Sequence, residues 1–318
     1  MKIIRDIETI DKSYKGAVIV LGNFDGFHLG HRAIIAHAAT VAKAEKRPLA
    51  LMSFEPHPKE FLGNLLSKEP YKNMRIYSLR SKLLVAGELG VECVFLMRFN
   101  EKFAGLGAEE FIREVLVKKL SAKHVITGEN FCFGKNRSGD KNLLAKFAGE
   151  LGFGYTAHSQ IYANDGAVIS SSLIRDLLAH GKVREASSLL GRSYHISGRV
   201  QHGEKRGSQL GFPTANISLG RKLFLPKYGV YATRVQLENK IYNAVANLGV
   251  KPTFGNYAPN LEVHLFDTNE NLYGKRLCVE FVDFIRDEQK FSALDELKTQ
   301  IDIDCVAAKK ILSFEFRV

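Results

Sequence analysis

The residues Gly22-Asn23-Phe24-Asp25-Gly26-Phe27-His28-Leu29-Gly30-His31 have the makings of a phosphate-holding loop. Gly22 and Gly26 let the backbone approach an anion closely. A helix beginning just after them presents unpaired N–H groups and the positive end of its dipole. His28 and His31 are three apart, so they share a face once the helix has begun. Two imidazoles there can hydrogen-bond phosphate oxygens and stabilise charge on a pentavalent phosphorus. A lone His-x-x-His is equally a helix-start pair satisfied by backbone or water. Zinc is disfavoured, because no carboxylate or third ligand stands at a supporting spacing. The ten-residue context favours phosphate. A second clamp of the same kind is Ile169-Ser170-Ser171-Ser172-Leu173-Ile174-Arg175, in which small hydroxyls at a helix start are joined by one arginine. By itself that serine run is a helix cap.

The C-terminal half offers a different chemistry in the stretch Gly198 to Asn216. Gly203 and Gly207 flank Glu204-Lys205-Arg206, a turn whose backbone can wrap phosphates with Lys205 and its neighbour as cations. Thr214 and Asn216 are hard oxygen donors two residues apart, which on an extended segment point the same way. They suit Mg²⁺-ATP. Glu262 alternates with Leu261, Val263 and Leu265 on a strand-like run, where an ordinary solvated carboxylate is the default. One competing phosphate site fails: Gly134 to Asp140 has P-loop glycine spacing, but Asp140 stands where the lysine is required.

The elements that must position these residues fall into two patterns. In the first half, Ala17–Leu21, Leu49–Phe54, Val91–Leu96 and His124–Gly128 read as buried strands alternating with helices, such as the one carrying Ile34, Ile35, Ala38, Val41 and Ala42. That βαβ alternation implies a parallel sheet flanked by helices. From Tyr194 onward, short runs with period-two alternation follow one another, including Gly229–Val235, Leu261–Leu265 and Leu277–Val282. A small antiparallel barrel is the expected solution, since closure removes exposed edges. One amphipathic helix follows, with Leu294, Leu297, Ile301 and Ala308 among its apolar positions. The change of pattern sets a boundary near Gly191-Arg192-Ser193 and predicts domains at 1–190 and 191–318.

Bulk properties agree with a two-domain globular protein: 318 residues, 45% hydrophobic and 25% charged. Met1–Asp6 has no apolar core of signal-peptide length, and no apolar run suffices to span a bilayer, so the expected location is the cytoplasm. Cys93, Cys132, Cys278 and Cys305 are widely spaced, against a zinc cluster or disulfide framework. A net charge of +11 invites nucleic acid, but the basic residues are scattered and equally suit polyphosphate ligands.

The loop at 22–31 resembles the His-x-Gly-His signature of nucleotidyltransferases. In its longer form it is similar to that of bacterial FAD synthetases, and Ile169–Arg175 resembles their Ile-Ser-Ser-Thr-x-Ile-Arg segment, with Ser172 in place of threonine. Class I aminoacyl-tRNA synthetases share the short signature, but the lysine-rich second signature and the length of such an enzyme are missing. Gly128-Glu129-Asn130-Phe131-Cys132-Phe133-Gly134 resembles the flavin-side motif of the same family, with Asn130 for an acid and Cys132 for an arginine. Phe131 and Phe133 either pack on a flavin ring or fill the core. In the second half, Gly198–Asn216 with its Pro213-Thr214-Ala215-Asn216 core resembles the riboflavin kinase signature, Ser208 replacing a usual arginine.

The resemblance spans nearly the whole chain and is to the bifunctional riboflavin kinase/FAD synthetases. It implies a Rossmann-like nucleotidyltransferase domain followed by a small antiparallel β-barrel with one C-terminal helix. The implied sequence of reactions is phosphorylation of riboflavin by ATP to FMN, then adenylylation of FMN to FAD with release of pyrophosphate. The substrates are small molecules, with no nucleic acid or membrane partner, and Mg²⁺ serves both steps. Glu262 is the implied base toward the riboflavin hydroxyl, and His28 and His31 stabilise the adenylyl-transfer transition state. Gly22, Asn23, Phe24, Asp25, Gly26, Asn130, Ser171, Ser172 and Arg175 line the first nucleotide site; Gly203, Lys205, Gly207, Thr214 and Asn216 line the second. The competing readings are a monofunctional riboflavin kinase with a vestigial first domain, and a flavin- or RNA-binding regulator.

Overall fold

A computed structural model describes residues 1–8, 10–66, 74–203, 207, 210–220, 222–253, 256–268 and 270–314, without the side chains of 64–66, 251–253, 256–258 and 314. The chain divides into two compact units, Met1–Met74 with Leu79–Ser170, and Arg75–Ser78 with Ser171–Val318.

The first unit is a six-stranded parallel sheet with flanking helices. Its strands are β1 (Lys2–Ile4), β2 (Val18–Leu21), β3 (Leu49–Glu55), β4 (Cys93–Arg98), β5 (His124–Gly128) and β6 (Gly154–His158). Their order is β1-β4-β3-β2-β5-β6, and every neighbouring pair is parallel. The central strands are continuous apolar runs because helices cover both faces, so all four residues of β2 are buried. The helices are α1 (Leu29–Glu45), α2 (Pro58–Leu66), α3 (Leu79–Glu88), α4 (Glu101–Ala104), α5 (Ala108–Glu110, continuing as a π-helix over Phe111–Lys119) and α6 (Lys141–Leu151). Local chemistry sets their ends. The Asp140 carboxylate caps α6 through the Asn142 and Leu143 N–H groups at 3.0 Å, which is what the aspartate in the P-loop-like run does. Two apolar clusters, one on each face, hold the layers together; Ile19, Met52 and Phe95 lie in one, Val18, Leu51 and Val94 in the other.

The second unit begins with α7 (Ser171–Ala179) and α8 (Val183–Leu190), which pack their Ile174, Leu178, Val183 and Leu190 into the same core as the strands that follow. Those strands are β7 (Tyr194–Gln201), β8 (Ala215–Ile217), β9 (Gly229–Leu237), β10 (Lys240–Thr253), β11 (Asn256–Leu265) and β12 (Arg276–Arg286), followed by α9 (Leu294–Phe314). They close into an antiparallel barrel in the order β10-β11-β8-β7-β12-β9. Period-two alternation sends Leu261, Val263, Leu277 and Val279 inward. A register shift between Phe281 and Asp283 adds a bulge to β12. Val282 joins a separate outer cluster with Val230, Ala232 and Val245, against which α9 lays Cys305, Ala308 and Leu312. Leu294 does not join that face: it is 69% exposed at the first position of α9.

Candidate functional site

The loop after β2 is built on strained backbone held down by buried rings. Phe24 (φ 49°) and Phe27 (φ 47°) both occupy the left-handed region, and Gly26 has φ 85°. Each non-glycine residue there costs on the order of 1–3 kcal/mol. Both phenylalanine rings are buried and stack with centroids 5.7 Å apart, and burial of a phenylalanine contributes about 1.5–3 kcal/mol. The two effects are of similar size, so core packing is what holds this loop shape. Asp25 is buried between them in sequence.

His28 closes the loop as the N-cap of α1, its Nδ1 accepting the His31 N–H at 3.4 Å. That bond assigns the neutral ring the Nε2–H tautomer, leaving a donor at the other nitrogen. The two imidazoles lie almost face to face, 3.7 Å between centroids and 22° between planes. Burial holds the His28 imidazole down at about 4. His31 sits well below its ordinary value, through burial first and then the charges of His28 and Lys82. Its Nδ1 is buried without a hydrogen-bond partner. Two neutral imidazoles at a helix N-terminus form a donor cluster suited to phosphate oxygens.

Lys82, on α3, escaped sequence reasoning. Its ammonium donates to the Asn23 carbonyl and to Ser53 Oγ, directly beneath this loop. In the sequence it is one more lysine on an amphipathic helix, and no local signal separates it from the others.

Asn130 is exposed in the turn after β5, where its carbonyl accepts from Cys132 Sγ at 3.7 Å. Of the two phenylalanines beside it, Phe133 is buried in the core against Phe111, and Phe131 is half-buried and stacked on Phe133 at 5.9 Å. The Phe133 ring therefore fills the core. Ser171, Ser172 and Arg175 occupy the first turns of α7, in the second compact unit.

In the barrel, the expected phosphoryl-transfer residues share one wall. β8 and β11 are antiparallel neighbours, and their register sets Asn216 directly opposite Glu262. Asn260 Nδ2 donates to Glu262 Oε1 at 2.9 Å and approaches Asn216 Oδ1 at 3.5 Å, so it orients the carboxylate. Gly203 and Gly207 pack over the same residues. A Cβ on Gly203 would lie 2.3 Å from Asn216 Nδ2, and one on Gly207 would lie 2.4 Å from the Phe212 carbonyl and 3.3 Å from Thr214 Oγ1. Lys205 and Ser208 lie outside the described residues.

Gly207, Thr214, Asn216 and Glu262 line a cavity of about 460 Å³ between the outer barrel surface and α9, which contributes Leu297, Ile301 and Asp304. Arg286 closes the far side with a bidentate pair to Asp304 at 2.8 and 2.7 Å. Gln300 Nε2 adds a third bond to that carboxylate at 3.0 Å. A cavity with an apolar helix on one side and oxygen donors on the other can hold a planar aromatic and a polyphosphate together. Among the described residues no group of three or more His, Cys, Asp or Glu side chains forms a metal cluster. Thr214 Oγ1 and Asn216 Oδ1 nonetheless suit Mg²⁺, which keeps most of its waters and takes few protein ligands when it arrives with a nucleotide.

Comparison with known proteins agrees with this two-site arrangement. The family model described as FAD synthetase matches residues 10–173, and that described as riboflavin kinase matches residues 190–312. A protein of Escherichia coli K12 named bifunctional riboflavin kinase/FMN adenylyltransferase is 41% identical over 312 residues, covering 98% of this chain and 97% of its own length. Its namesake from Haemophilus influenzae is 39% identical over 311 residues, covering 97% and 98%. A solved structure from Streptococcus pneumoniae, described as a macrolide-efflux protein, superposes with a TM-score of 0.84 at 31% identity, covering 96% of this chain and 98% of its own. Among the described residues here, no helix is long and apolar enough to cross a membrane. The chain belongs to the bifunctional riboflavin kinase/FMN adenylyltransferase family.

Proposed function

We propose that this chain makes FMN from riboflavin and then FAD from FMN, spending one ATP at each step, with residues 191–318 performing the first reaction and 1–190 the second. The observation that carries the reading is the convergence of Thr214, Asn216 and Glu262 on one cavity, with Asn216 and Glu262 in register on adjacent strands.

In the kinase step the riboflavin hydroxyl attacks the γ-phosphorus of ATP while Glu262 takes its proton, and ADP leaves. Asn260 holds the carboxylate in place for that transfer. Thr214 and Asn216 would hold Mg²⁺, which neutralises phosphate charge as the phosphoryl group moves. Gly203 and Gly207 let the main chain lie close over these two side chains. In the second step a phosphate oxygen of FMN attacks the α-phosphorus of the second ATP and pyrophosphate leaves. His28 and His31 donate hydrogen bonds to the oxygens that gain charge, and neither becomes covalently modified. By the family resemblance Ser171, Ser172 and Arg175 bind nucleotide, and Asn130 serves the flavin side of adenylyl transfer. The two profile matches, ending at 173 and starting at 190, support the division of labour.

The test is a time course of purified protein with riboflavin, ATP and Mg²⁺, the flavins being separated chromatographically. FMN should appear first and FAD at its expense, EDTA should stop both, and His28→Ala should halt FAD while FMN still accumulates. FMN with no FAD from the unmodified protein would reduce the chain to a kinase. No conversion at all would end the reading.

A further inference from the structure

Three segments distant in sequence meet at the ammonium of Lys82. It donates to the Asn23 carbonyl, in the loop after β2, and to Ser53 Oγ, on β3. Ser53 is itself buried and donates to the same Asn23 carbonyl at 3.3 Å, so the three groups form a closed triangle. A lysine that serves only solubility leaves its ammonium in water. This one is half-buried and spent on the main chain of the loop that carries Asp25, His28 and His31.

The peptide that Lys82 grips joins Asn23 to Phe24, whose φ of 49° makes this the strained joint of the loop. A trans peptide is planar, with its C=O and N–H pointing in opposite directions. Fixing the Asn23 carbonyl toward Lys82 therefore turns the Phe24 N–H away from it. The same ammonium also acts on His31, after burial and the charge of His28. The groups facing His31 are the His28 ring at 3.7 Å, Phe24 at 5.2 Å, Phe27 at 6.4 Å and the charge of Lys82 from α3, with Asp25 buried in the same loop. A site that gathers the phosphates of ATP and FMN pulls protons onto nearby imidazoles. A fixed cation beneath opposes that pull and itself attracts the phosphates.

We propose that Lys82 is a positioning residue for adenylyl transfer, clamping the Asn23–Phe24 peptide of the nucleotide loop and supplying a fixed positive charge beside His31. The inference rests on the adenylyltransferase reading of the first unit, and the experiment separates the two.

Full-length protein is assayed for FAD formation from FMN, ATP and Mg²⁺ across pH, with riboflavin phosphorylation by the same chain as the internal control. Unmodified protein that forms no FAD refutes the adenylyltransferase reading, whatever Lys82 does. Given that activity, Lys82→Gln should lower kcat for FAD at least tenfold and move the acid limb of the profile up. Lys82→Arg should leave the limb in place, and FMN formation should be untouched in both. Ring NMR of ligand-free protein should show the His31 titration rising in Lys82→Gln. A Lys82→Gln enzyme with the unmodified rate and limb overturns the proposal, as does an unchanged His31 titration. If Lys82→Gln unfolds the first unit, Ser53→Ala decides, because it removes one corner of the triangle and keeps the charge. It should raise KM for ATP with the acid limb unmoved, and an unchanged KM overturns the clamp.

Discussion

Mild acid should weaken the first unit through His28, by an amount that follows from where its proton binds. The imidazole has its midpoint at about 4 in the folded chain, against 6.5 when unfolded, because burial disfavours the cation. Between those two values the unfolded state binds more protons, so stability rises with pH across this window and is lost as pH falls. At pH 5 the unfolded ring is almost wholly charged and the folded one almost wholly neutral, which costs about 2 kcal/mol relative to pH 7. His28→Asn is the matched control, since an asparagine oxygen caps α1 in place of Nδ1 and does not titrate. The assay is urea unfolding at pH 7 and pH 5, followed by hydrogen exchange of the β2 and α1 amides, because the chain has no tryptophan to report on it. His31 still titrates in the variant, so the difference between the two proteins reports His28 together with its coupling to His31. Unmodified protein should lose about 2 kcal/mol more than His28→Asn between the two conditions. Equal losses would mean that the His28 ring takes up its proton in the folded state at no cost, and the neutral-donor account of the site would go with it.

Two further changes probe the barrel. Glu262→Gln keeps the hydrogen-bonding shape beside Asn260 and removes the base, so FMN formation should fall about 10²- to 10⁴-fold, while FAD formation from supplied FMN stays as it was. Arg286→Met leaves the Asp304 carboxylate buried with its bidentate partner gone; breaking such a pair costs about 3–5 kcal/mol, read as a lower urea midpoint for the second unit, and Arg286→Met with Asp304→Leu should restore most of it.

The central strands were legible because each is an unbroken apolar run, which only a sheet covered on both faces requires. β1 and β6 were not. β1 has three residues, and β6, Gly154–His158, is a largely half-buried edge strand with no apolar run. The barrel announced itself through alternation, which also told that Glu262 faces away from Leu261 and Val263. Alternation did not tell that α9 lies over that outer face and makes a cavity of it, because that depends on packing contacts between β9, β10 and a helix some fifty residues further on. Leu294 shows the converse error: apolar and in phase, it sits at the helix start, where it has nothing to cover it. Lys82, Asn260 and Arg286 share one reason for having been missed. Their residue types are ordinary for the elements that carry them, and only partners brought together by the fold, Asn23 and Ser53, Glu262, and Asp304, give them a role.

The two sites meet the charge of a polyphosphate by different physical means. In the first unit, the donors are neutral rings at a helix start, and the nearby cation is underneath the loop, engaged with backbone. Neutral donors strengthen their bonds as charge develops on a phosphate oxygen, without locking a strongly bound ground state in place. That suits a reaction whose pyrophosphate product must leave. Among the described residues of the second unit, the wall offers a hydroxyl, an amide and a carboxylate, and the cation Arg286 is paired with Asp304. The Glu262 carboxylate opposes a bare polyphosphate brought against it and tolerates one whose charge is already balanced by a metal ion. On the proposed function, the kinase site therefore discriminates for metal-complexed ATP through Glu262 itself, the same carboxylate that takes the substrate proton. Removing it should then lower the rate while weakening the site's preference for the complexed nucleotide, two effects that a solvated strand carboxylate would not couple.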